Sequence, residues 1–333
     1  MDTVVTRQRL FVFYLVPDFT LLAFSSAVEA LRLANYVLGY EAYAWRLVSA
    51  DGGKVWASCG VSFDTDNDVA AERQMLARGQ RPFMTVICAG HHVERHANKP
   101  TEAWLRECRQ NGVAIASLCT GAHILARAKL LDDKKCVIHW ENFPSFVEQF
   151  RGACVRTSLF AIDGGIHTCA GGTASFDMML HIIQRDFGEV VVSGVCELAF
   201  VDRVRSPSDR QRLPFARRTG ALHPEITSLI ERMQETLTEP LPVDELMVGI
   251  RLTRRQIERL FRNELSCSPA RYYMKLRLER AKLLLSQMTT PIVEVAIASG
   301  FSSASHFSKC YRETYGCSPQ QTRKHKSLAL GAA

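Results

Sequence analysis

The chain has 333 residues, 47% hydrophobic and 23% charged, with a formal net charge of +7. Length and apolar content fit two domains with ordinary cores. No apolar run approaches the roughly 18 residues of a membrane span, and the polar residues 1–9 lack a signal-peptide pattern. The 11 cysteines, scattered without a Cys-x-x-Cys pair, point to reduced thiols in a cytosol, not to a disulfide framework or a zinc site.

Residues 10–16 are a short apolar run, read as a buried strand that Pro17-Asp18 closes. Residues 21–36 have helical spacing, with Leu22, Ala23, Ala27, Ala30, Leu31 and Ala34 expected inward. Residues 45–49 and 55–63 read as strands joined by a hairpin-type turn at Asp51-Gly52-Gly53. A helix near 70–78 is followed by a buried strand, 83–88, ending at Ala89-Gly90. Helices are expected at 101–111, 122–128, 173–187 and 190–204, a strand at 113–118, and a second hairpin at Asp163-Gly164-Gly165. This alternation predicts a mainly parallel sheet with helices on both faces, a flavodoxin-like α/β domain over residues 9–203. Asp64, Asp66 and Asp68 alternate like a calcium loop but lack its Gly and terminal Glu, and His91-His92 reads as a solvated loop, so no metal is expected.

The informative junction of this half is Ala116-Ser-Leu-Cys119-Thr120-Gly121-Ala122, where a cysteine sits as a strand turns into a helix. Backbone N–H groups at a helix start favour a thiolate, and ligands of open α/β sheets bind at the carboxyl ends of the strands. Cys119, the strand end Ile87-Cys88-Ala89-Gly90 and Val137-Ile138-His139-Trp140 resemble the PfpI-like branch of the class I glutamine-amidotransferase superfamily. In that branch a histidine follows the elbow cysteine at about the interval from Cys119 to His139. Its enzymes also carry a carboxylate on the first helix, where this chain has Leu22 and Ala23, and a histidine where it has Thr120. The resemblance therefore implies binding without turnover. The ligand is expected against Cys119, Thr120, His139 and Trp140, with Asp18, Phe19 and Glu29 from the first helix region. Trp140 and Phe19 would pack on a methylated ammonium and Glu29 would supply charge. A thiol hydrolase or amidase, or a redox sensor acting through Cys119, is the alternative.

Residues 204–220 hold Pro, Ser, Gly and five arginines, and read as a polar, basic linker. A further domain is expected over residues 221–325. Its core pattern is written twice, 50 residues apart: Arg259 matches Lys309, Phe261 matches Tyr311, and Cys-Ser-Pro recurs at 267–269 and 317–319. Each copy reads as two short helices around a turn, over 243–264 and 291–314, with Thr253 and Ser303 as N-caps and Gly300 at the second turn. A linking helix, 269–287, buries Met274, Leu278, Ala281 and Leu285. Residues 204–333 carry 21 Lys and Arg against 12 Asp and Glu, whereas residues 1–203 carry 20 against 22. The whole basic excess lies on the repeat half, the electrostatic footprint of a DNA-binding domain.

Leu-Phe-Arg at 260–262, Arg-Leu-Glu-Arg-Ala-Lys at 277–282, Val-Ala-Ile-Ala-Ser-Gly-Phe at 295–301 and Gly-Cys-Ser-Pro at 316–319 resemble the AraC/XylS-type transcription regulators. One departure is Arg251, which stands where the first turn of that family has a small residue. The whole chain resembles GlxA-type regulators, and Ser26–Asn35 with Ser49–Gly53 resemble the subgroup that senses quaternary amines and amino-acid-like compounds. The implied protein is a cytoplasmic, sequence-specific transcription regulator without a cofactor. Its expected partners are double-stranded promoter DNA, a small-molecule effector, RNA polymerase, and a second copy of the chain through the sensor domain. On the second helix of each unit the residues pointing away from the apolar stripe are expected to meet DNA: Arg254, Arg255, Glu258 and Arg259, then Ala304, Ser305, His306 and Lys309.

Overall fold

The computed structural model describes residues 8–211 and 223–329. The chain divides into two compact units, 1–211 and 212–333.

The first unit opens with β1 (Arg9–Leu15), whose run of bulky apolar residues is buried on both faces as a central parallel strand requires. Phe11, Phe13 and Leu15 enter one core, Val12 and Tyr14 the other. Helix α1 (Leu21–Leu38) ends at Gly39, in the left-handed conformation. Helix α1 is long and apolar enough for a membrane span by length and composition, with a mean hydropathy of 1.3, although it contains Glu29 and Arg32. Its Ala23, Ala27, Ala30, Leu31 and Ala34 face is instead spent inside the first core. Leu22, expected inward, is 54% exposed, because it falls one step off that small-residue stripe.

Strand β2 (Tyr43–Ser49) pairs in parallel with β1. The expected strand 55–63 is instead a separate hairpin of β3 (Val55–Trp56) and β4 (Ser62–Phe63), turning where Gly60 has φ +85°. Asp51-Gly52-Gly53 is thus not a turn between paired strands, since the next partner of β2 is β5 (Asn67–Asp68), also parallel. Asp66 accepts from Leu47 N and Asp68 caps helix α2 (Val69–Ala77), which gives these carboxylates backbone roles. Then come β6 (Met84–Cys88), the one-turn α3 (Val93–His96), α4 (Lys99–Gln110), β7 (Ala114–Leu118) and α5 (Ala122–Arg127). The excursion that follows holds β8 (Lys135–Cys136), α6 (Phe143–Gln149) and β9 (Cys154–Val155). The expected hairpin at 163–165 joins β10 (Phe160–Asp163) to β11 (Ile166–Cys169). Helices α7 (Ala174–Phe187) and α8 (Glu189–Leu198) close the unit, α8 ending six residues short of its expected end at 204.

The main sheet has the order β10-β11-β7-β6-β1-β2-β5, parallel except for β10. Helices α1, α7 and α8 cover one face and α2, α4 and α5 the other. The first part of the expected linker does not hang free. Arg205 donates its backbone N and its guanidinium to Asp177, which is 3% exposed, and Arg205 also reaches Thr173 Oγ1. Leu159 N donates to Asp209 O, Gln211 N to Thr157 O, and Gln211 Nε2 to Ile138 O. Residues 203–211 are therefore a strap laid on the first unit. The Arg205 and Gln211 side chains fasten it to the unit, while Arg203, Ser206, Ser208 and Asp209 bond among themselves, so its composition alone reads as a linker. Residues 212–220 of that linker lie outside the described residues.

The second unit is helical. Helix α9 (Pro224–Glu235) packs with α10 (Val243–Leu246) and α11 (Arg254–Leu265) in one small core, where Ile257 and Phe261 are fully buried. Helix α12 (Pro269–Gln287) leads to a second core formed with α13 (Ile292–Ala298) and α14 (Ala304–Tyr315), where Phe307 and Tyr311 hold the same places. Helix α15 (Pro319–Ala329) follows. The sequence repeat is thus a repeat of cores, each fully buried ring contributing roughly 1.5–3 kcal/mol. Helix α10 is a single turn that stops before Ile250. The left-handed turn residues are Gly249 (φ +79°) and Gly300 (φ +76°), so Gly249 supplies the small residue that Arg251 does not.

Candidate functional site

At the end of β7 the backbone reverses through Cys119, which has φ +58°. A non-glycine residue in the left-handed region is strained, and neighbouring glycines make the turn possible. A Cβ on Gly121 would meet Ile87 O at 2.6 Å, and one on Gly171 would meet Cys119 Cβ at 2.6 Å. Thr120 Oγ1 donates to Gly90 O at 2.7 Å, and His139 N donates to Cys119 O at 3.2 Å. These bonds bring the three stretches singled out in the sequence to one place.

The chemistry of the elbow differs from expectation. Cys119 is 6% exposed, and burial pushes its thiol pKa up. Thr20 Oγ1, donating to Cys119 Sγ at 3.5 Å, and the Thr120 N–H oppose that shift, while Glu141 adds to it. The expected thiolate is therefore not favoured, because desolvation outweighs the two donors. Burial pushes the His139 pKa down, with Glu141 opposing and His91 assisting. Its Nδ1 lies 4.0 Å from Glu141 Oε2, and among the described residues no hydrogen bond joins its ring to Cys119 Sγ. A neutral thiol beside a neutral imidazole that does not touch it is poorly arranged for nucleophilic attack. The Trp140 ring lies 5.6 Å from that of His139.

Asp18, at φ +62°, accepts from His91 N and lies against Gly90 on the same rim. Phe19 does not join it: fully buried, it packs on Phe24 at 5.6 Å and Phe63 at 5.8 Å. Glu29 does not join it either, since it pairs with Arg32 on the exposed side of α1, about two and a half turns along the helix from Thr20. Thr20 is the residue that sequence reasoning missed. A hydroxyl immediately before the first helix, two residues ahead of the positions searched for a carboxylate, was the available signal.

In the second unit, Thr253 and Gln256 form a reciprocal capping box at the start of α11, and Ser303 caps α14. Both turns are fastened by arginines from the preceding scaffold helix. Arg232 donates to Leu246 O and Val248 O. Arg277 donates to Ser299 O and Gly300 O, and Arg280 to Ala298 O. These bonds satisfy carbonyls that the ends of α10 and α13 leave open.

Of the residues expected to meet DNA, Arg255 and Arg259 are exposed at i, i+4 and make no ion pair among the described residues. Arg254 holds both oxygens of Asp244 at 2.9 Å and Glu258 at 3.2 Å, which commits it to the α10–α11 junction. Glu258 is correspondingly half-buried. On α14, Ser305 and Lys309 are exposed and Ala304 is half-buried. The exposed His306 leans inward, its Nε2 at 3.3 Å from Cys310 Sγ and its ring 5.9 Å from Phe301.

A parallel α/β domain with a cysteine elbow, followed by two capped helix-turn-helix units on a basic chain, defines a DNA-binding regulator with an attached sensor-like domain. Residues 11–185 match the DJ-1/PfpI family, and residues 249–325 match the helix-turn-helix domain. The HTH-type transcriptional regulator GbdR of Pseudomonas aeruginosa is 40% identical over 320 residues, 95% of this chain and 84% of that protein. The HTH-type transcriptional regulator CdhR of the same organism is 38% identical, over 97% of this chain and 94% of its own. Among solved structures, an AraC family transcriptional regulator from Pseudomonas putida aligns with a TM-score of 0.51 and 26% identity, covering 57% of this chain and 99% of its own. The chain belongs to the AraC-type helix-turn-helix transcription regulators that carry a DJ-1/PfpI domain.

Proposed function

We propose that this regulator is cytoplasmic and that its first unit binds a small metabolite, amino-acid-like or a quaternary amine, at the elbow rim of Asp18, Cys119, Thr120, His139 and Trp140. The observation that carries the reading is the strained strand-to-helix turn at the end of β7, the end of a parallel sheet where ligands bind. The same rim, with its protonated thiol, is suited to binding without turnover. Bound ligand alters how the two helix-turn-helix units engage promoter DNA. The strap supports this coupling, because Gln211 bonds Ile138, the neighbour of His139, and is the last residue of the first unit. The reading includes a homodimer through the first unit, for which the exposed Val190 and Phe200 are the contacts to mutate. RNA polymerase is the partner through which promoter binding acts.

Titration of the full-length protein with amino acids and quaternary amines tests the placement: Cys119→Ala and Trp140→Ala should each lower affinity. Unchanged affinity in both overturns it. Ligand recovered chemically altered after long incubation overturns the non-catalytic reading.

A further inference from the structure

Helix α14 carries a thiol and a base on one face. His306 and Cys310 stand one turn apart, with His306 Nε2 3.3 Å from Cys310 Sγ. Packing holds the imidazole in that position. Its ring makes a T-shaped contact with Phe301 at 5.9 Å, and Phe301 lies under the Arg277 guanidinium at 4.1 Å. Arg277 is itself fixed by its bonds to Ser299 O and Gly300 O. Burial pulls the Arg277 pKa down while Tyr273 and Cys310 oppose it, which puts the Cys310 sulfur in the field of that cation.

The 50-residue repeat shows that the core does not require this pair. Cys310 stands where the first copy has Leu260, and His306 where it has Gln256, which is spent in the capping box. Leu260 packs against the first small core as Cys310 does against the second, so an apolar side chain satisfies the place. The other cysteine sulfurs that have a hydrogen-bond partner among the described residues, those of Cys108, Cys119, Cys169 and Cys317, face hydroxyls or a backbone N–H. Cys119 is buried, whereas Cys310 is half-buried with the exposed His306 and Lys309 beside it. A thiol reacts as its thiolate, and an accessible position next to a base and a cation favours that form.

We propose that Cys310 is a modification site for low-molecular-weight disulfides, and that the mixed disulfide weakens the hold of the second helix-turn-helix unit on DNA. His306 Nε2 accepts the S–H proton, and the Cys310 sulfur attacks one sulfur of the disulfide. The S–S bond of the reagent breaks, and the departing thiolate takes the proton back from the imidazolium. One thiol and one disulfide become one mixed disulfide and one free thiol, so no further oxidant enters, and excess thiol reverses the step. Cys310 is not among the residues expected to touch DNA, but it lies beside His306 and Lys309, which are. An attached anionic group of tripeptide size covers that face and repels the phosphates. The effect on DNA rests on the reading that α14 meets DNA; the reactivity of the thiol does not.

The full-length protein, reduced and freed of small thiols, is treated with glutathione disulfide, and each cysteine is followed by mass spectrometry. Cys310 should react roughly tenfold or more faster than the more exposed Cys59 and Cys154, and the difference should vanish in unfolding urea. His306→Gln should slow Cys310 and leave Cys59 unchanged. Modified wild type should bind an operator, selected with the reduced protein from random-sequence DNA, roughly tenfold or more weakly, and reduction should restore it. Cys310→Ser, and Cys310→Leu with the first copy's own residue, should bind that operator and ignore the disulfide. The proposal is overturned if Cys310 reacts no faster than Cys59 and Cys154, or if His306→Gln leaves its rate unchanged. It is also overturned if the modified protein binds the operator fully, or if both Cys310 variants lose binding to the disulfide as the wild type does. The reading of the face fails separately: an α14 that does not meet DNA leaves Lys309→Ala with wild-type binding to every DNA, whereas failure of the thiol alone leaves the Lys309→Ala effect in place.

Discussion

Replacing Arg255 with alanine removes an exposed guanidinium from the first turn of α11. Arg255 makes no ion pair among the described residues, so folding should change by no more than about 0.5 kcal/mol. A guanidinium held by two bonds to a guanine edge is worth about 1–3 kcal/mol of discrimination, or roughly 5- to 150-fold in Kd. The control is its neighbour. Arg254 is occupied by Asp244 and Glu258, and Arg254→Ala removes solvent-screened surface pairs while leaving the reading face intact. The assay is binding to operator and to scrambled DNA at several salt concentrations. Arg255→Ala should lose affinity mainly on the operator and relax preference at one base position, whereas Arg254→Ala should change both DNAs alike. Full preference in Arg255→Ala, with preference lost in Arg254→Ala, would refute the assignment of the face.

Lys309→Ala should weaken operator and scrambled DNA evenly and flatten the salt dependence by about one unit of slope, measured in the same titrations. Gly300→Ala should destabilise the second unit by about 2 kcal/mol or more. It forces a side chain into φ +76° with its Cβ 2.5 Å from Leu237 O, and its unfolding transition should fall while that of the first unit stays. His167 is 3% exposed, neither ring nitrogen has a well-aligned hydrogen bond among the described residues, and burial pushes its pKa down to about 4 against the opposing pull of the Ile115 and Gly165 backbone. The fold therefore favours the neutral ring, and stability present above the unfolded pKa is lost as pH falls from about 6.5 toward 4, at up to about 1.4 kcal/mol per pH unit. His167→Leu should flatten that acid limb in urea unfolding; an unchanged limb contradicts the assignment.

What was legible in the sequence was whatever is settled within a few residues. The caps at Thr253 and Ser303, the repeat of Phe261 and Tyr311, and the buried runs of β1 and β6 all rest on local spacing. The elbow was legible as a junction because Gly121 and Cys119 are adjacent to the strand end. Its proton state was not, because the burial that raises the thiol pKa comes from the fold as a whole. The strap was misread for a related reason. Its five polar and charged side chains at 205–206 and 208–210 look solvated until Arg205 meets a buried aspartate 28 positions away. Phe19 and Glu29 lie close to the rim along the chain, yet one turns into the aromatic core and the other onto the exposed side of α1.

Helix α12 gives Tyr272, Tyr273 and Leu276 to the core of the first helix-turn-helix unit and Leu278, Ala281, Leu284 and Leu285 to that of the second. One unbroken helix of 19 residues is thus a shared beam between the two readers. At 1.5 Å per residue it is about 28 Å long, and its twist of about 100° per residue sets the phase between the cores. A single residue inserted near Lys275–Arg277 would swing the second reader by about 100° and move it by about 1.5 Å, while seven would nearly restore the phase but lengthen the beam by about 10 Å. The separation and phase of the two helix-turn-helix cores are accordingly carried through α12, so such insertions should change which spacing of DNA segments the protein tolerates.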